Sequence, residues 1–238
     1  METTIKLGPI VADLVRKDIK NVHLSVYPPA GRVRISAPLR MKVETVRTFA
    51  VSKLGWIKAQ QREILAQERE TPREYLESES HYVWGKRYLL RIVEHNGPSR
   101  IELKGRQLVL RIRPATPADR RQQILDGWYR AQLRDGALPL IAKWEKILGV
   151  KVERLFLQRM KTKWGSCSRT FPSIRLNTEL AKKPRECVEY IVVHEMIHLL
   201  EPNHGKGFVD RMEKAMPLWR QYRRRLNQLP VRHEDWLY

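Results

Sequence analysis

The sequence predicts an α+β fold in which a β-hairpin-rich region precedes a region that combines a small sheet with helices. Apolar and polar side chains alternate over residues 22–38, which is typical of half-buried strands. Over residues 43–65 apolar side chains instead recur every three or four residues, which predicts a helix. The stretch Pro114–Arg120 is polar and contains two prolines, so we expect a division into residues 1–113 and 114–238.

The N-terminal region is predicted to contain three hairpins and one long helix. Residues 22–38, VHLSVYPPAGRVRISAP, would turn at the Pro-Pro-Ala-Gly step. The helix is expected at about residues 42–70, and Gly55 is a place where it can kink. After a polar linker, two further hairpins are expected to turn near Gly85 and Gly105.

The C-terminal region should begin with a long helix that ends near Leu148 and is broken in two by Gly136 and Pro139. A strand at Val152–Met160 follows, because apolar and polar residues alternate there. The next stretch, KTKWGSCSRTFPSIRLN at residues 161–177, predicts a pair of strands joined by a turn.

Two more helices are expected after this strand pair. The first covers residues 184–200, since proline suits the first turn of a helix and Pro202 would stop it. It is apolar on nearly every side, which indicates a buried helix. The second covers about residues 205–227 and is expected to bend at Pro217.

Composition limits the classes of function. There is no apolar run of eighteen residues and no secretory signal, and the two cysteines do not form a disulfide framework. We therefore expect a soluble cytoplasmic protein with no membrane partner. The 46 Lys and Arg against 26 Asp and Glu give a net charge of +20, which fits either a solvated basic surface or nucleic-acid binding.

The stretch HEMIHLLEPNH, residues 194–204, contains three of the seven histidines. On a helix His194 and His198 lie one turn apart on the same face, so both imidazoles can bind one Zn²⁺. Glu195 lies about 100° round the helix and can reach a metal-bound water as a general base. A buried helix that carries these polar side chains must satisfy all of them, and a metal with a bound water does so.

A catalytic zinc usually has three protein ligands and a water. Because Pro202 stops the helix, the chain can turn back and bring His204 to the metal, six residues after His198. This interval equals the one in HExxHxxGxxH. We therefore predict His204 as the third ligand, with Glu201 and Glu213 as the alternatives.

Motifs in the last third of the chain resemble the YgjP-like zinc metallopeptidases, which are related to the SprT-like group. These motifs are Lys161 with WGSCS at 164–168, LN at 176–177, VVHEMIHL at 192–199, NH at 203–204, Phe208, and Pro217 with Trp219. Met196 departs from the usual leucine, which is a volume-conserving exchange.

This resemblance implies a zincin-like catalytic core, made of a small sheet, an active-site helix and a following helix. It implies peptide-bond hydrolysis with Glu195 as general base and with His194, His198 and His204 as ligands of Zn²⁺. It places the WGSC strand at the edge of the sheet, where an extended peptide substrate can pair with it. The expected substrate-binding residues are those of this strand: Trp164, Gly165, Ser166 and Cys167.

Some of these residues have a structural alternative. Cys167 can bind the zinc as a thiolate, although a single cysteine in a strand is more often a small buried apolar residue. Trp164 is expected to pack in the core, and contact with the substrate is its alternative role. Tyr190 is also expected to pack in the core, and its alternative role is a hydrogen bond near the metal.

Two other functions are compatible with the sequence. One is a basic nucleic-acid-associated protein, or a protease recruited to DNA, whose binding should strengthen as salt is lowered. The other is an interaction module on a degenerate zincin fold, which fits less well because the ligand positions of the motif are all occupied.

Overall fold

The computed structural model describes residues 2–27, 30–66, 73–160 and 163–230. Part of the first predicted turn, the end of the first predicted helix, part of the linker and Lys161 lie outside these residues. The chain divides into two compact units, one of residues up to 70 and one of residues 71–229. Both contain strands and helices, so the α+β class is confirmed. The sequence-based division after residue 113 falls inside the second unit and stays a prediction about domains.

The first unit is a four-stranded sheet followed by two helices. Its strands are β1 (Glu2–Leu7), β2 (Ile10–Lys17), β3 (His23–Tyr27) and β4 (Arg32–Pro38), in the order β1-β2-β4-β3. The β3–β4 hairpin is the one predicted from the alternating pattern. The single predicted helix is two helices, α1 (Val43–Ser52) and α2 (Leu54–Ala66), and the break falls at Lys53, just before Gly55.

The second unit begins with a sheet of the same topology. Strands β5 (Ser80–Val83), β6 (Lys86–Glu94), β7 (Arg100–Lys104) and β8 (Gln107–Ile112) are ordered β5-β6-β8-β7. In both sheets the central pair is parallel and the outer pairs are antiparallel hairpins. Gly85 and Gly105 lie in the turns of the two later hairpins with φ of 78° and 57°, as the sequence predicts.

Helix α3 (Ala118–Leu148) is continuous, so the predicted break at Gly136 and Pro139 is wrong. Pro139 is on the exposed side of α3, where water can satisfy the carbonyl that its missing N–H leaves unpaired. Gly136 faces Trp84, and a methyl group added there would be 2.8 Å from the indole ring. The buried residues on both sides of the proline pack into the same core, which keeps the helix straight enough to continue.

A three-stranded sheet supports the rest of the second unit. It contains β9 (Arg154–Gln158), β10 (Gly165–Ser168) and β11 (Ser173–Asn177) in the order β10-β11-β9, so β10 is an edge strand of this sheet. These are the strands that the sequence predicts. A 3₁₀ helix, Thr178–Lys182, leads from the sheet to the helices that follow.

Three helices complete the second unit: α4 (Arg185–Ile197), α5 (Lys206–Ala215) and α6 (Trp219–Gln228). Helix α4 ends three residues before the predicted Leu200, and the single predicted last helix is interrupted around Pro217. Most of α4 is buried, between α3, α6 and the three-stranded sheet. Among the described residues, no helix combines the length and apolar character that crossing a membrane requires.

Candidate metal centre

Three histidine side chains converge where α4 ends. His194 lies in the last turn of α4, His198 ends the helix, and His204 lies in the loop before α5. The Nε2 atom of His204 is 3.0 Å from Nε2 of His194 and 3.1 Å from Nε2 of His198. Over the described part of the chain, this is the one group of His, Cys, Asp or Glu whose ligand atoms all lie within 4.8 Å of one another.

The three nitrogens fit a tetrahedral metal ion. Zinc binds imidazole nitrogen at about 2.0–2.1 Å, which separates two ligands at the tetrahedral angle by about 3.3 Å. The distances of 3.0 and 3.1 Å are slightly shorter than this spacing. Neutral imidazole nitrogens that point at one place share a cation well and otherwise repel one another, so the donor set suits zinc.

One hydrogen bond fixes the orientation and the tautomer of His198. Its Nδ1 donates to the carbonyl oxygen of Glu201 at 2.9 Å, which leaves the Nε2 lone pair free for a metal. That carbonyl is in reach because the Glu201 amide bonds back to Ile197 at 2.9 Å as the helix ends. The Nδ1 of His194, in contrast, is buried and finds no hydrogen-bond partner among the described residues.

Two of the three histidines, His194 and His204, have lowered pKa values, which favours the neutral form that binds metal. Burial, together with the charges of the neighbouring His198 and His204, lowers the pKa of His194 to about 3. Burial also lowers the pKa of His204. Protons therefore compete weakly for these nitrogens at neutral pH.

Phe208 of α5 packs against all three imidazole rings. The centroid of its ring is 4.9 Å from that of His194 and 4.7 Å from those of His198 and His204. Phe208 is buried, and its position four residues after His204 is the only sequence signal for this contact.

The two alternative third ligands are engaged elsewhere. The carboxylate of Glu201 accepts from Nε of Arg211 at 3.1 Å, and Glu213 is ion-paired with Arg220. Neither carboxylate belongs to the group of metal-ligand atoms. The geometry therefore favours His204 over both.

Glu195 is buried beside this group, with 5% of its surface exposed. Burial raises the pKa of its carboxyl to about 7, and the positive charge of Lys163 opposes the shift. Gly165 of β10 lies against the carboxylate, since a methyl group added there would be 2.6 Å from Oε1. Strand β10 thus passes so close to Glu195 that the position requires glycine.

The WGSC residues lie beside Glu195 but differ in surroundings. Trp164 packs against the core of the second unit, and its carbonyl accepts from the amide of Asn177 at 2.9 Å. Gly165 contacts Glu195, and Ser166 is half-buried opposite Arg175 of β11. The packing expected for Trp164 is therefore observed.

Cys167 is half-buried and lies outside the group of metal-ligand atoms. Burial, together with the negative charge of Glu195, raises the pKa of its thiol to about 11. A thiol with such a pKa is protonated at neutral pH, so it is a poor metal ligand. These observations favour a packing role for Cys167 over the binding of zinc by its thiolate.

Tyr190 lies one turn before His194 on the buried side of α4. Its ring meets that of His194 edge-on at 5.8 Å and stacks on Trp219 at 6.4 Å. Burial raises the pKa of its hydroxyl to about 12. Tyr190 is therefore a packed aromatic residue that links the metal centre to α6.

The role of Asn177 is one that the sequence reasoning missed. Its Nδ2 donates to the carbonyls of Met160 at 2.8 Å and Lys163 at 2.9 Å, and its Oδ1 accepts from the amide of Glu179 at 3.2 Å. The side chain thereby fixes the start of the loop that leads into β10. The asparagine at the end of an apolar strand was visible in the sequence, but its backbone partners were not.

Comparisons with known proteins identify the family of this chain. A family model, the YgjP-like metallopeptidase domain, matches residues 20–229. No curated protein matches the chain. Similar solved structures include the metallopeptidase zymogens of Pyrococcus abyssi abylysin and Methanocaldococcus jannaschii jannalysin. They share 21% and 20% identity, with TM-scores of 0.36 and 0.32. Each match covers 42% of this chain, and it covers 98% and 94% of the respective neighbour. Since the family model spans most of its length, the chain belongs to the YgjP-like metallopeptidase family.

Proposed function

We propose that this metallopeptidase holds Zn²⁺ with His194, His198 and His204 and uses Glu195 as its general base. The convergence of the three Nε2 atoms beside a buried carboxylate carries the proposal. When bound, zinc would supply a water of lowered pKa and polarise the substrate carbonyl.

Glu195 is suited to move a proton in both directions. Because burial raises its pKa to about 7, the carboxylate can take a proton from water near neutral pH. It can then give this proton to the leaving amine. Gly165 and the fixed β10 backbone keep the carboxylate in place, since they leave it little room to rotate.

Strand β10 offers a binding edge for an extended peptide. Among the described strands it pairs with β11 on one side only, so the backbone groups of the other side are available to a substrate strand. Pairing of this kind recognises the peptide backbone and not a particular side chain. A peptide paired with β10 would lie next to Glu195, because Glu195 contacts Gly165 of β10.

The variant Glu195→Gln tests the role of Glu195 as general base. The variant keeps the size of the side chain but not the base, so it should retain one zinc per chain while hydrolysis falls by roughly 10²–10⁴-fold. Metal content by mass spectrometry and cleavage of a peptide library by wild type and variant measure the two effects.

Glu186→Gln on the same helix is the matched control, because this carboxylate is paired with Arg225 and is not among the metal-ligand group. It should retain both zinc and activity. Full cleavage by Glu195→Gln of a peptide that the wild type cuts would contradict the assignment of the base.

A further inference from the structure

The two faces of the three-stranded sheet carry different side chains. Because side chains alternate along a strand, neighbouring residues of β10 belong to opposite faces. On the inner face, Gly165 of β10 lies against Glu195 of α4. On the outer face, Ser166 of β10 is aligned with Arg175 of β11, which is aligned with Phe156 of β9. Phe156 is 42% exposed, so this row of side chains reaches solvent.

Arg175 stands in the middle of the outer row and has hydrogen-bonding capacity that the protein does not use. Its guanidinium carbon lies 5.6 Å from the centroid of the Phe156 ring. Its Nε is buried and has no hydrogen-bond partner among the residues that the structure describes. A buried donor without an acceptor lowers stability, so an acceptor supplied by a ligand would be favourable here.

The sheet carries positive charge without negative charge. Its three strands contain Arg154 and Arg175 but no aspartate or glutamate. Both arginines belong to the outer face, since Arg154 is two residues from Phe156 in β9. Glu195 touches β10 from the inner face, on the other side of the sheet. An acidic group therefore suits the outer face better than a basic one.

A peptide that pairs with the free edge of β10 continues the rows of the sheet. Neighbouring strands lie about 4.8 Å apart, so the peptide would lie roughly 10 Å from β11. Its side chain beside Ser166 would point to the outer face, and those before and after it would point to the inner face. Since serine is short, a long side chain of the peptide can meet Arg175 above it, much as long side chains meet across about 7–8 Å in sheets.

We propose that Arg175 selects an acidic side chain at the substrate residue that pairs beside Ser166, and glutamate before the shorter aspartate. The guanidinium group can donate two parallel hydrogen bonds to a carboxylate while its flat face stays beside Phe156. This inference rests on the proposed function, because it takes β10 as the edge that binds the peptide to be cut. Arg175 sets the preference for substrate and takes no part in breaking the bond.

The test measures selectivity with zinc-loaded full-length protein and fluorogenic peptides. A peptide library first gives the sequence without aspartate or glutamate that the wild type cuts fastest, and mass spectrometry locates the cut. Each residue near the cut is then replaced by glutamate and, in a matched peptide, by glutamine. The ratio of the two kcat/KM values reports the preference for a carboxylate at that position.

For the wild type, this ratio should be roughly three to ten at one position, or at two positions that are two residues apart. It should be near one at the adjacent positions, whose side chains point to the other face. Because the preference depends on charge at a partly exposed site, it should also fall as salt is raised.

Three variants separate Arg175 from the general positive charge of the sheet. Arg175→Gln should bring the ratio to about one, and Arg175→Glu should make the glutamine peptide the better substrate. Arg154→Gln is the matched control, since it removes the same charge from the same face but from β9, two strands from the free edge of β10. It should keep the ratio of the wild type. Both peptides are compared on one protein, so a reduced folded fraction of a variant cancels.

A ratio near one at every position in the wild type would overturn the inference and leave the assigned metal centre and base unaffected. A preference that survives in Arg175→Gln, or that occurs equally at adjacent positions, would overturn it as well. If the zinc-loaded wild type cuts no peptide of the library, the proposed function itself fails, and this inference falls with it.

Discussion

At the scale of single residues, Phe208 shows how the site is held before a metal arrives. Its ring lies 4.7–4.9 Å from all three imidazoles, whose Nε2 lone pairs face the same point. Within the described part of the chain, His198 alone has a hydrogen bond that orients its ring from outside the triad. Aromatic contacts are worth about 0.5–1.5 kcal/mol each, so Phe208 contributes to the arrangement that the metal meets.

Phe208→Leu should therefore weaken zinc binding by about tenfold, because leucine keeps the apolar volume but not the flat surface under the rings. Zinc affinity is measured by competition with a chelator, and thermal unfolding of the metal-free protein reports stability separately.

Met212→Ala is the control for this loss. Met212 is buried one turn later on α5 and has no aromatic ring to pack flat against the imidazoles. Its truncation should lower stability by about 2–5 kcal/mol and leave zinc affinity unchanged. Equal losses of affinity in the two variants would mean that Phe208 acts through general stability.

The sequence predicted His194, His198 and Glu195 as site residues because their chemistry depends on local spacing along one helix. It did not predict that Gly165 lies against Glu195 or that Asn177 holds the loop before β10. Both contacts join residues that are distant in the chain, and no local pattern encodes them. The contact between Glu201 and Arg211, which favours His204 as the third ligand, was likewise not visible in the sequence.

At the scale of elements, helix α3 shows that core packing can outweigh the helix-breaking tendency of glycine and proline. Glycine and proline predicted a break, yet α3 continues because its buried side chains on both sides share one core. The same rule succeeded at Pro217, where the buried Met216 and the exposed Pro217 and Leu218 separate α5 from α6. The difference lies in the packing on either side, which the sequence does not show directly.

Gly136→Ala should destabilise the protein by about 1–3 kcal/mol, because the methyl group would lie 2.8 Å from the ring of Trp84. Gly127→Ala on the same helix adds its methyl group where no atom lies within 4 Å. It should stabilise the protein by about 0.5–1 kcal/mol through helix propensity. Urea unfolding gives the free energy of unfolding of both variants. Equal changes in this free energy would show that the Trp84 contact is unimportant.

At the scale of the whole molecule, pH should act on stability through His81. This side chain of β5 is 1% exposed, and burial together with the charges of Arg73 and Lys182 lowers its pKa to about 3. Glu79 is only 3.2 Å from Nε2, but its other carboxylate oxygen accepts from the amides of Glu74 and Tyr75. His81 is therefore neutral in the folded protein.

Below pH 6.5 the unfolded chain binds a proton at His81 that the folded protein does not. Stability should therefore fall as the pH drops from about 6.5 to 3, by up to about 1.4 kcal/mol per pH unit from this residue. His81→Gln removes the titrating group, so its stability should depend less steeply on pH over this range. Parallel curves for variant and wild type, from urea unfolding of metal-free protein, would show that His81 does not contribute.

Two features belong to the chain as a whole: a repeated sheet topology and a strongly positive net charge. The two four-stranded sheets share one strand order, which the sequence did not reveal as a repeat, because topology is set by pairing and not by identity. The net charge of +20 is not explained by peptide hydrolysis, and nucleic-acid binding stays a prediction.

The zinc content of three variants tests the central claim most directly. Wild type, Glu201→Gln and Glu213→Gln should each hold one zinc per chain, since both carboxylates are paired with arginines outside the site. His204→Ala should lose zinc affinity by more than the 10–100-fold that is typical for loss of an indirect partner of a ligand. Retention of zinc by His204→Ala, together with its loss from either glutamate variant, would contradict the three-histidine centre.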